Sequence, residues 1–191
     1  MSDDDPSPLP APVEGNIFLI GLMGAGKTSV GRALARILGK TFLDCDQEIE
    51  RVTGVRIPLI FEIEGEAGFR LRESRMLTEL VRRNNIVLAT GGGAVLSREN
   101  RDLLTATGTV IYLRAPVRLL IKRTRRDRSR PLLQTADPAA RLTALFEQRD
   151  PLYREIAHLI VDTGDQSVRV LAGQIEYKLR ALACTSTVTS A

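Results

Sequence analysis

The chain has 191 residues, which is enough for one ordinary α/β domain with a buried core and too few for two comfortable ones. Its 43% hydrophobic and 26% charged residues are the mixture of a globular protein, and no apolar run approaches the roughly 18 residues that span a bilayer. A net charge of +4 suits anionic small molecules and does not exclude nucleic acid.

The first 15 residues, MSDDDPSPLPAPVEG, are acidic and rich in proline, the opposite of the basic start and apolar middle of a signal peptide. We expect residues 1–15 to form a disordered leader. The two cysteines, Cys45 and Cys184, are too few for a secreted disulfide framework, which favours a reducing cytoplasm. With one histidine, His158, an all-protein zinc site is not expected, and His158 itself is interpreted as structural.

Five short apolar runs predict the strands of a parallel sheet. They alternate with helical patterns, and continuous apolar strands separated by helices indicate a buried parallel sheet with helices on both faces. The first helix is predicted at Thr28–Leu38, with Gly39 as its stop signal. The predicted strands are Asn16–Ile20, Thr41–Leu43, Ile86–Ala89, Thr109–Leu113 and Leu159–Val161.

A phosphate-binding motif lies between the first strand and the first helix. GLMGAGKT, Gly21–Thr28, matches GxxxxGK(S/T) at every fixed position and follows the strand NIFLI. The loop amides and the helix N-terminus can bind phosphate, Lys27 can reach the β- and γ-phosphates, and the Thr28 hydroxyl can enter a Mg²⁺ shell. The alternative is a glycine-rich turn that binds nothing. The motif indicates a nucleotide but no reaction, because switches, motors and kinases share it.

The second strand runs into Asp44-Cys45-Asp46. Strand alternation would put both carboxylates on one side of the strand end, at the carboxyl edge of the sheet where ligands bind. One carboxylate can hold Mg²⁺ through water, and the other can accept the proton of an acceptor hydroxyl. The alternative for Asp46 is a helix N-cap, since Asp is a good capping residue. Cys45 is interpreted as a small buried residue rather than a reactive thiol.

Two segments interrupt the alternation of strands and helices. Asp46–Arg83 is long, charged and helical in pattern, and it is broken by Gly54, Pro58 and Gly65. Residues 125–138 are basic and contain two prolines. Such excursions in a compact α/β domain are usually lids or substrate-binding insertions. We expect one domain at residues 16–183, with a mobile lid at about 125–138, and a flexible tail at 184–191.

Two further patterns lie around the third strand. Arg70 and Glu73 are three residues apart and share a helix face, with Glu66 one turn earlier. By itself this spacing favours a solvated ladder of charges. The third strand then runs into three glycines, residues 91–93, which permit very close approach of the backbone to a ligand.

Together these segments resemble the shikimate kinase family over roughly residues 16–165. The phosphate motif is common to many families, whereas DxD, FRxxE and GGG in combination are specific. The Walker-B aspartate of many P-loop proteins is missing from the third strand, as it is in shikimate kinases. The resembling segments, in chain order, are GLMGAGKTSVGRALA, DCDQEIE, FRLRES, LATGGGAV, RPLL, RDPLYREIA and VDT.

The resemblance implies a three-layer α/β P-loop kinase fold like that of nucleoside monophosphate kinases, with a five-stranded parallel sheet, a lid and a substrate-binding insertion. It implies transfer of the ATP γ-phosphoryl group to the 3-hydroxyl of shikimate, a step in aromatic amino-acid biosynthesis through chorismate. ATP is then the co-substrate and one Mg²⁺ per subunit the cofactor. The expected enzyme is a cytoplasmic monomer with no nucleic-acid or membrane partner.

On the nucleotide side, the resemblance implies a metal site and two arginines in addition to the loop. Thr28 and Asp44 would hold Mg²⁺, Asp44 through water. Arg130 matches the lid arginine that stabilises charge on the transferring group, and Arg123 matches a residue near the adenine. The implied ATP-binding residues are Gly24, Ala25, Gly26, Lys27, Thr28, Ser29, Arg123 and Arg130.

On the acceptor side, Asp46 matches the family residue that binds the acceptor hydroxyl, and with Lys27 and Arg130 it is a candidate catalytic residue. Arg70 and Arg149 match the pair that grips the substrate carboxylate, for which a planar guanidinium fork is well shaped. The implied substrate-binding residues are Asp46, Arg70, Glu73, Gly92 and Arg149, where Glu73 holds Arg70 and Gly92 makes a backbone contact.

Three other functions are weighed against this one. The basic run from Lys122 to Arg130 could be a nucleic-acid patch, although no aromatic residues for base stacking are interleaved. The chain could be another small-metabolite kinase, such as a gluconate-type or nucleoside monophosphate kinase, but the two arginines and GGG favour shikimate. A nonenzymatic nucleotide switch is disfavoured because both Asp44 and Asp46 are present.

Overall fold

A five-stranded parallel sheet forms the centre of the structure, a computed structural model that describes residues 13–125, 127 and 130–188. The order across the sheet is β2-β3-β1-β4-β5, and each neighbouring pair is parallel. The neighbouring central strands β1 and β3 are buried throughout, as apolar runs of a doubly covered sheet should be. The strands are β1 (Asn16–Ile20), β2 (Thr41–Asp44), β3 (Ile86–Ala89), β4 (Gly108–Arg114) and β5 (Leu159–Asp162).

Helices cover both faces of this sheet, which confirms the predicted three-layer fold. The chain leaves β1 in one direction and β3 in the other, so right-handed crossovers put α1 and α4 on opposite faces. Helix α1 packs against α7, while α4 contacts α3 and α6. The helices are α1 (Lys27–Leu38), α2 (Cys45–Thr53), α3 (Ile57–Leu80), α4 (Arg98–Thr107), α5 (Val117–Thr124), α6 (Pro138–Ile156) and α7 (Val168–Val188), with 3₁₀ turns at Ala94–Leu96 and Pro131–Leu133.

The topology fixes where a ligand can bind. Because the connections from β1 and β3 diverge, a crevice opens at the carboxyl ends of these central strands. The phosphate motif directly follows β1, Asp44 is the last residue of β2, and the three glycines come just after β3. All three segments therefore meet at one edge of the sheet.

The predicted breaks in Asp46–Arg83 have three different local effects. Gly54 adopts a left-handed conformation with φ 71° and ends α2. Pro58 lies in the first turn of α3, where its missing N–H costs no hydrogen bond. Gly65, at φ 69° and ψ −177°, interrupts α3 with a kink that a residue with a side chain would adopt only under strain.

The described part of the chain ends within α7. This helix runs to Val188, five residues into the predicted flexible tail, because residues 174–188 contain no Gly or Pro to stop it. Residues 1–12 of the predicted leader and the last three residues of the tail lie outside the described residues. None of the helices in the described part of the chain is long and apolar enough to cross a membrane.

Candidate active site

The phosphate loop is built from glycines that no other residue could replace. A Cβ on Gly21 would lie 2.6 Å from the carbonyl oxygen of Leu113 in β4, so the loop crosses that strand too closely for a side chain. Gly26 is the N-cap of α1, with a φ of 97° and no side-chain cap hydrogen bond. The first N–H groups of α1 therefore have no capping side chain and can bind an anion such as a phosphate.

Lys27 is folded back over this loop. Its Nζ donates to the carbonyl oxygens of Gly21, at 2.7 Å, and Leu22, at 3.1 Å. Burial, followed by the positive charge of Arg130, lowers the pKa of Lys27 to about 8, although the carboxylates of Asp46 and Asp44 act in the opposite direction. The carbonyl oxygens thus hold the ammonium in place, while the two carboxylates offset only part of its positive charge. This suits a group that binds phosphate.

This lowered pKa predicts proton uptake when a nucleotide binds. Phosphate oxygens favour the charged ammonium, so they should raise the pKa of Lys27 from its value of about 8. At about pH 8.5, ATP binding should therefore take up part of a proton, and the uptake should vanish towards about pH 7, where Lys27 is already charged. Titration calorimetry in buffers of different ionisation enthalpy measures this. Uptake that persists unchanged in Lys27→Met would contradict the assignment to Lys27.

Asp44, rather than Asp46, is the helix cap. Its Oδ1 accepts from the backbone N–H groups of Asp46, at 3.1 Å, and Gln47, at 3.3 Å, at the start of α2. Helix α2 already begins at Cys45, so strand alternation is not what brings the two carboxylates together. Both still line one cavity because the first turn of α2 lies at the sheet edge. The capping alternative for Asp46 was wrong.

Asp44 also contacts the phosphate loop, where the pair fits a magnesium ion. The Thr28 hydroxyl donates to Asp44 Oδ2 at 2.8 Å. Mg²⁺ is typically bound through one or two carboxylates together with substrate phosphates and waters, so a hydroxyl and a carboxylate beside a phosphate loop are a suitable donor set. In the described residues no group of three or more His, Cys, Asp or Glu could hold a metal ion. The ion would thus depend on the nucleotide for part of its ligands.

Asp46 lines the site with a partly buried carboxylate. Its Oδ1 is buried and has no hydrogen-bond partner within the described residues, while Oδ2 lies 3.7 Å from Nη1 of Arg130. Burial and the neighbouring Asp44 raise the pKa of Asp46, against the charges of Arg130 and Lys27. A partly buried carboxylate that lines the cavity and has a raised pKa can accept a proton from a bound hydroxyl.

The charges on α3 form a partly buried cluster around Glu73 instead of the solvated ladder that their spacing alone favours. Arg70 Nη1 donates to Glu73 Oε2 at 2.7 Å, and Nη2 donates to Glu66 Oε1 at 2.9 Å. The Glu73 side chain is only 1% exposed. Burial raises the pKa of Glu73, although Arg70 opposes the shift. Arg70 is therefore fixed in orientation by two carboxylates on its own helix.

The glycine triplet makes room for this cluster. A Cβ on Gly91 would lie 1.9 Å from Glu73 Oε1, and a Cβ on Gly93 would lie 2.3 Å from the Arg70 guanidinium. Two of the three glycines thus allow side chains of α3 to lie against the backbone after β3. The sequence predicts that the glycine backbone comes close to a ligand. In the structure, Gly91 and Gly93 come close to the side chains of Glu73 and Arg70 instead.

Arg149 is the most unusual residue of the site. It is only 2% exposed, yet its Nε and Nη1 have no hydrogen-bond partner in the described part of the protein. Burial lowers the pKa of Arg149, and the positive charge of nearby Arg70 acts in the same direction. A buried guanidinium with unpaired donors is costly unless an anion pairs with it. Arg149 and Arg70 both line the cavity, so an anionic ligand there could pair with both.

One cavity of about 490 Å³ connects these groups. Of the predicted site residues, Ala25 and Arg123 do not line it. Those that do are Gly24, Gly26, Lys27, Thr28, Ser29, Asp44, Asp46, Arg70, Glu73, Gly92, Arg130 and Arg149.

An apolar wall of this cavity was not predicted from the sequence. Phe61 and Phe69 stack with ring centroids 4.8 Å apart, and Ile57 and Leu132 extend the same lining. The only available signal was the position of Phe69 beside Arg70 in FRLRE, together with the four-residue spacing of Ile57 and Phe61 on α3. The wall lets the cavity hold a ligand with a carbon skeleton as well as charges.

Arg123 joins the phosphate loop to the segment after β5. Its Nη1 donates to Gly24 O at 3.2 Å, and its Nη2 donates to Gly164 O at 2.6 Å. This places it beside the outer end of the nucleotide loop, although outside the cavity. Within the basic run from Lys122 to Arg130, Arg126 and Arg128 lie outside the described residues.

Two residues interpreted as structural have structural contacts. Cys45 is fully buried at the start of α2, and burial raises the pKa of its thiol well above the usual value. His158 precedes β5, where its Nδ1 accepts from the backbone N–H of Val110 at 2.9 Å. Neither side chain lines the cavity.

Comparison with known proteins decides between the enzyme families that share this fold. The model of the shikimate kinase family matches residues 23–180. The chain belongs to the shikimate kinase family. The shikimate kinase of Nitrosomonas europaea is 61% identical over 168 residues, which cover 88% of this chain and 80% of that protein.

Solved structures of shikimate kinases are also similar to this chain. Shikimate kinase from Acinetobacter baumannii, in complex with shikimate, is 52% identical with a TM-score of 0.87, covering 89% of this chain and 95% of that one. A gluconokinase from Sinorhizobium meliloti 1021 superposes with a TM-score of 0.64 but is only 20% identical, covering 95% of this chain and 100% of that one. That likeness concerns the fold alone.

Proposed function

We propose that this protein transfers the γ-phosphoryl group of ATP to the 3-hydroxyl of shikimate, forming shikimate 3-phosphate and ADP for aromatic amino-acid biosynthesis. The observation that carries the proposal is the buried guanidinium of Arg149, whose Nε and Nη1 have no hydrogen-bond partner in the described residues, in the same cavity as Arg70 and the phosphate loop. Shikimate has a carboxylate for these arginines and hydroxyls for the carboxylates of the site. Membership of the family and the shikimate complex of its Acinetobacter baumannii relative support this acceptor.

The nucleotide side is assigned to the loop and the first turn of α1. Backbone N–H groups from Gly24 to Ser29 would bind the phosphates, and Lys27 would lie against the β- and γ-phosphates. Thr28 and Asp44 would hold one Mg²⁺, which supplies charge neutralisation between the phosphates when bound. Arg123 would lie near the adenine, because its contacts with Gly24 and Gly164 place it at the outer end of the loop.

The acceptor side is assigned to α3, α6 and the glycine triplet. Arg70 and Arg149 would bind the shikimate carboxylate, with Glu73 holding Arg70 in orientation. The backbone of Gly92 would contact the ring substituents, and Asp46 would bind the 3-hydroxyl. The acceptor oxygen then forms a new bond to the γ-phosphorus, while the bond between that phosphorus and the β–γ bridging oxygen breaks and ADP leaves. Asp46 takes the proton of the acceptor hydroxyl.

Residues 125–138 are proposed to form the lid that closes over this reaction. Pro131 and Leu132 already line the cavity, and Arg130 reaches Asp46 and Asp127. Closure would exclude water and bring the Arg130 charge to the transferring group. We further propose a monomeric cytoplasmic enzyme, with residues 1–15 as a leader, 16–183 as the kinase domain and 184–191 as a tail.

The function is tested by coupled ADP release with Mg²⁺-ATP. Shikimate should stimulate turnover strongly, whereas gluconate and nucleoside monophosphates should leave the slow background hydrolysis unchanged. Quinate, which retains the carboxylate, tests whether the anion alone is sufficient. ADP release that is stimulated by a nucleoside monophosphate and not by shikimate would contradict the proposal.

Replacing Arg70 or Arg149 by Lys should raise KM for shikimate far more than it lowers kcat. Lysine keeps the charge but loses the planar fork, and the loss of a charge-assisted hydrogen bond corresponds to about tenfold or more in affinity. KM for a shikimate analogue without the carboxylate should hardly change in either variant. Steady-state kinetics with both acceptors measure this.

Arg114→Lys is the matched control for the arginine variants. Arg114 also forms a two-point pair with a carboxylate, that of Asp162, but it lies outside the cavity. Its substitution should leave KM for shikimate unchanged. Equal losses with both acceptors in the Arg70 and Arg149 variants would instead show that these arginines only support the fold.

A further inference from the structure

Tyr153 is a fully buried tyrosine of α6, one turn after Arg149. Its side chain is 0% exposed, and its hydroxyl donates to the carbonyl oxygen of Gly92 at 2.5 Å. The Gly92 peptide lies close to the phosphate loop, since a Cβ on Gly92 would be 3.5 Å from both Gly21 O and Met23 N. A side chain of α6 thus holds the glycine that faces the acceptor site.

The same hydroxyl lies beside Arg149. Tyr153 follows Arg149 by four residues on α6, which places the two side chains on one helix face, and burial raises the pKa of Tyr153 although the charge of Arg149 opposes the shift. The hydroxyl therefore stays protonated, with a hydrogen to donate to Gly92 and lone pairs for a guanidinium N–H. Arg149 Nε and Nη1 have no hydrogen-bond partner in the described residues, so the Tyr153 hydroxyl is a polar group on the same helix that the guanidinium can contact.

We propose that Tyr153 is a positioning residue of the acceptor site, whose hydroxyl sets the Arg149 guanidinium and the Gly92 peptide relative to each other. The inference rests on the proposed function, because it assigns Tyr153 the task of orienting the grip on the shikimate carboxylate. It differs from a packing role, which the aromatic ring alone would fulfil. A buried guanidinium can bind a carboxylate at two points only if its plane is fixed.

Tyr112 offers a control inside the same aromatic pair. The two rings have centroids 4.9 Å apart, and both side chains are almost fully buried. The Tyr112 hydroxyl donates to Asp150 Oδ1 at 2.7 Å. Neither Tyr112 nor Asp150 lines the cavity. Tyr112→Phe therefore removes a buried hydroxyl of similar surroundings without touching the acceptor site.

The test compares Tyr153→Phe with Tyr112→Phe in steady-state kinetics and urea unfolding. Tyr153→Phe should raise KM for shikimate by about tenfold, the usual size of one hydrogen bond to a charged group, while KM for ATP stays unchanged. On an Arg149→Lys background the same change should have little further effect, because its target is already lost. Tyr112→Phe should lower stability to a similar degree and leave both KM values alone.

A second measurement does not depend on the variant folding. The chain has three tyrosines, so fluorotyrosine labelling of the wild-type protein gives three ¹⁹F signals, assigned through Tyr112→Phe and Tyr177→Phe. Shikimate alone should shift the Tyr153 signal more than the Tyr112 signal. Equal kinetics of the two Phe variants, or an unshifted Tyr153 signal, would overturn the positioning role. Wild-type protein without shikimate-dependent ADP release would instead contradict the proposed function.

Discussion

Lys27→Ala should lower kcat by about 10²–10³-fold, the loss that follows removal of one preorganised group that stabilises transition-state charge. The lysine is held against the loop by the carbonyl oxygens of Gly21 and Leu22, so it is already positioned before the nucleotide binds. The folded protein should survive the change, because burial of this ammonium lowers its pKa and so disfavours its charged form in the native state. Single-turnover measurements with saturating Mg²⁺-ATP and shikimate give the chemical step directly.

Lys40 provides the matched control for this prediction. It is also a largely buried lysine that donates to a backbone carbonyl, that of Gly15, and to Asn85 Oδ1, but it lies at the start of β2 and away from the cavity. Lys40→Ala should reduce the unfolding free energy while keeping kcat per folded molecule. Near wild-type turnover by folded Lys27→Ala would refute the role of the phosphate loop in catalysis.

Asp46→Asn should lower kcat by about 10²–10⁴-fold, the range for general acid–base groups. Asparagine keeps the size of the side chain but cannot accept the proton of the acceptor hydroxyl. ATP affinity should be retained or increase, because a negative charge near the phosphates is removed. Parallel measurements of kcat and of ATP binding separate these two effects.

The pH dependence gives Asp46→Asn an independent test. Burial and the neighbouring Asp44 raise the pKa of Asp46, and only its ionised form can take the proton. Activity should therefore fall as the pH drops through this raised pKa, at a pH above the ordinary range of aspartate, and this acid limb should disappear in the Asn variant.

Asp150→Asn is the control for the loss of a carboxylate. Asp150 accepts from Tyr112 and Arg154 outside the cavity, so its replacement should affect stability and leave kcat intact. If Asp46→Asn reduced thermal stability alone, with kcat and its acid limb unchanged, Asp46 would have no part in the reaction.

The parts of this site that could be predicted from the sequence are those encoded by contiguous residues. An apolar run predicts β1, and a fixed glycine spacing predicts the loop before α1. The structure confirms the strand and the glycine N-cap of the helix, and the phosphate-binding role of the loop stays a prediction. The same local patterns offered Asp46 as an alternative cap of α2, and that alternative was wrong, because whether Asp44 or Asp46 accepts the first N–H groups depends on the residue at which the strand ends.

Contacts between distant segments could not be predicted in this way. The spacing of Arg70 and Glu73 suggested a solvated surface, whereas Gly91 and Gly93, some 20 residues further along the chain, let Glu73 become buried and Arg70 partly buried. Tyr153 gave no signal of its own in the sequence, since its hydroxyl meets Gly92 across 61 residues. Burial of a charged residue is decided by such tertiary neighbours and not by periodicity.

The most direct test of the proposed reaction is the structure of its product. The enzyme should be incubated with Mg²⁺-ATP and shikimate, and the product examined by ³¹P–¹H correlation spectroscopy alongside quantification of ADP. The expected result is one phosphate ester, coupled to the proton on C3, formed in equal amount to ADP. A phosphate on another hydroxyl, or ADP released with inorganic phosphate and unmodified shikimate, would contradict the assignment of Asp46, Arg70 and Arg149 to this acceptor.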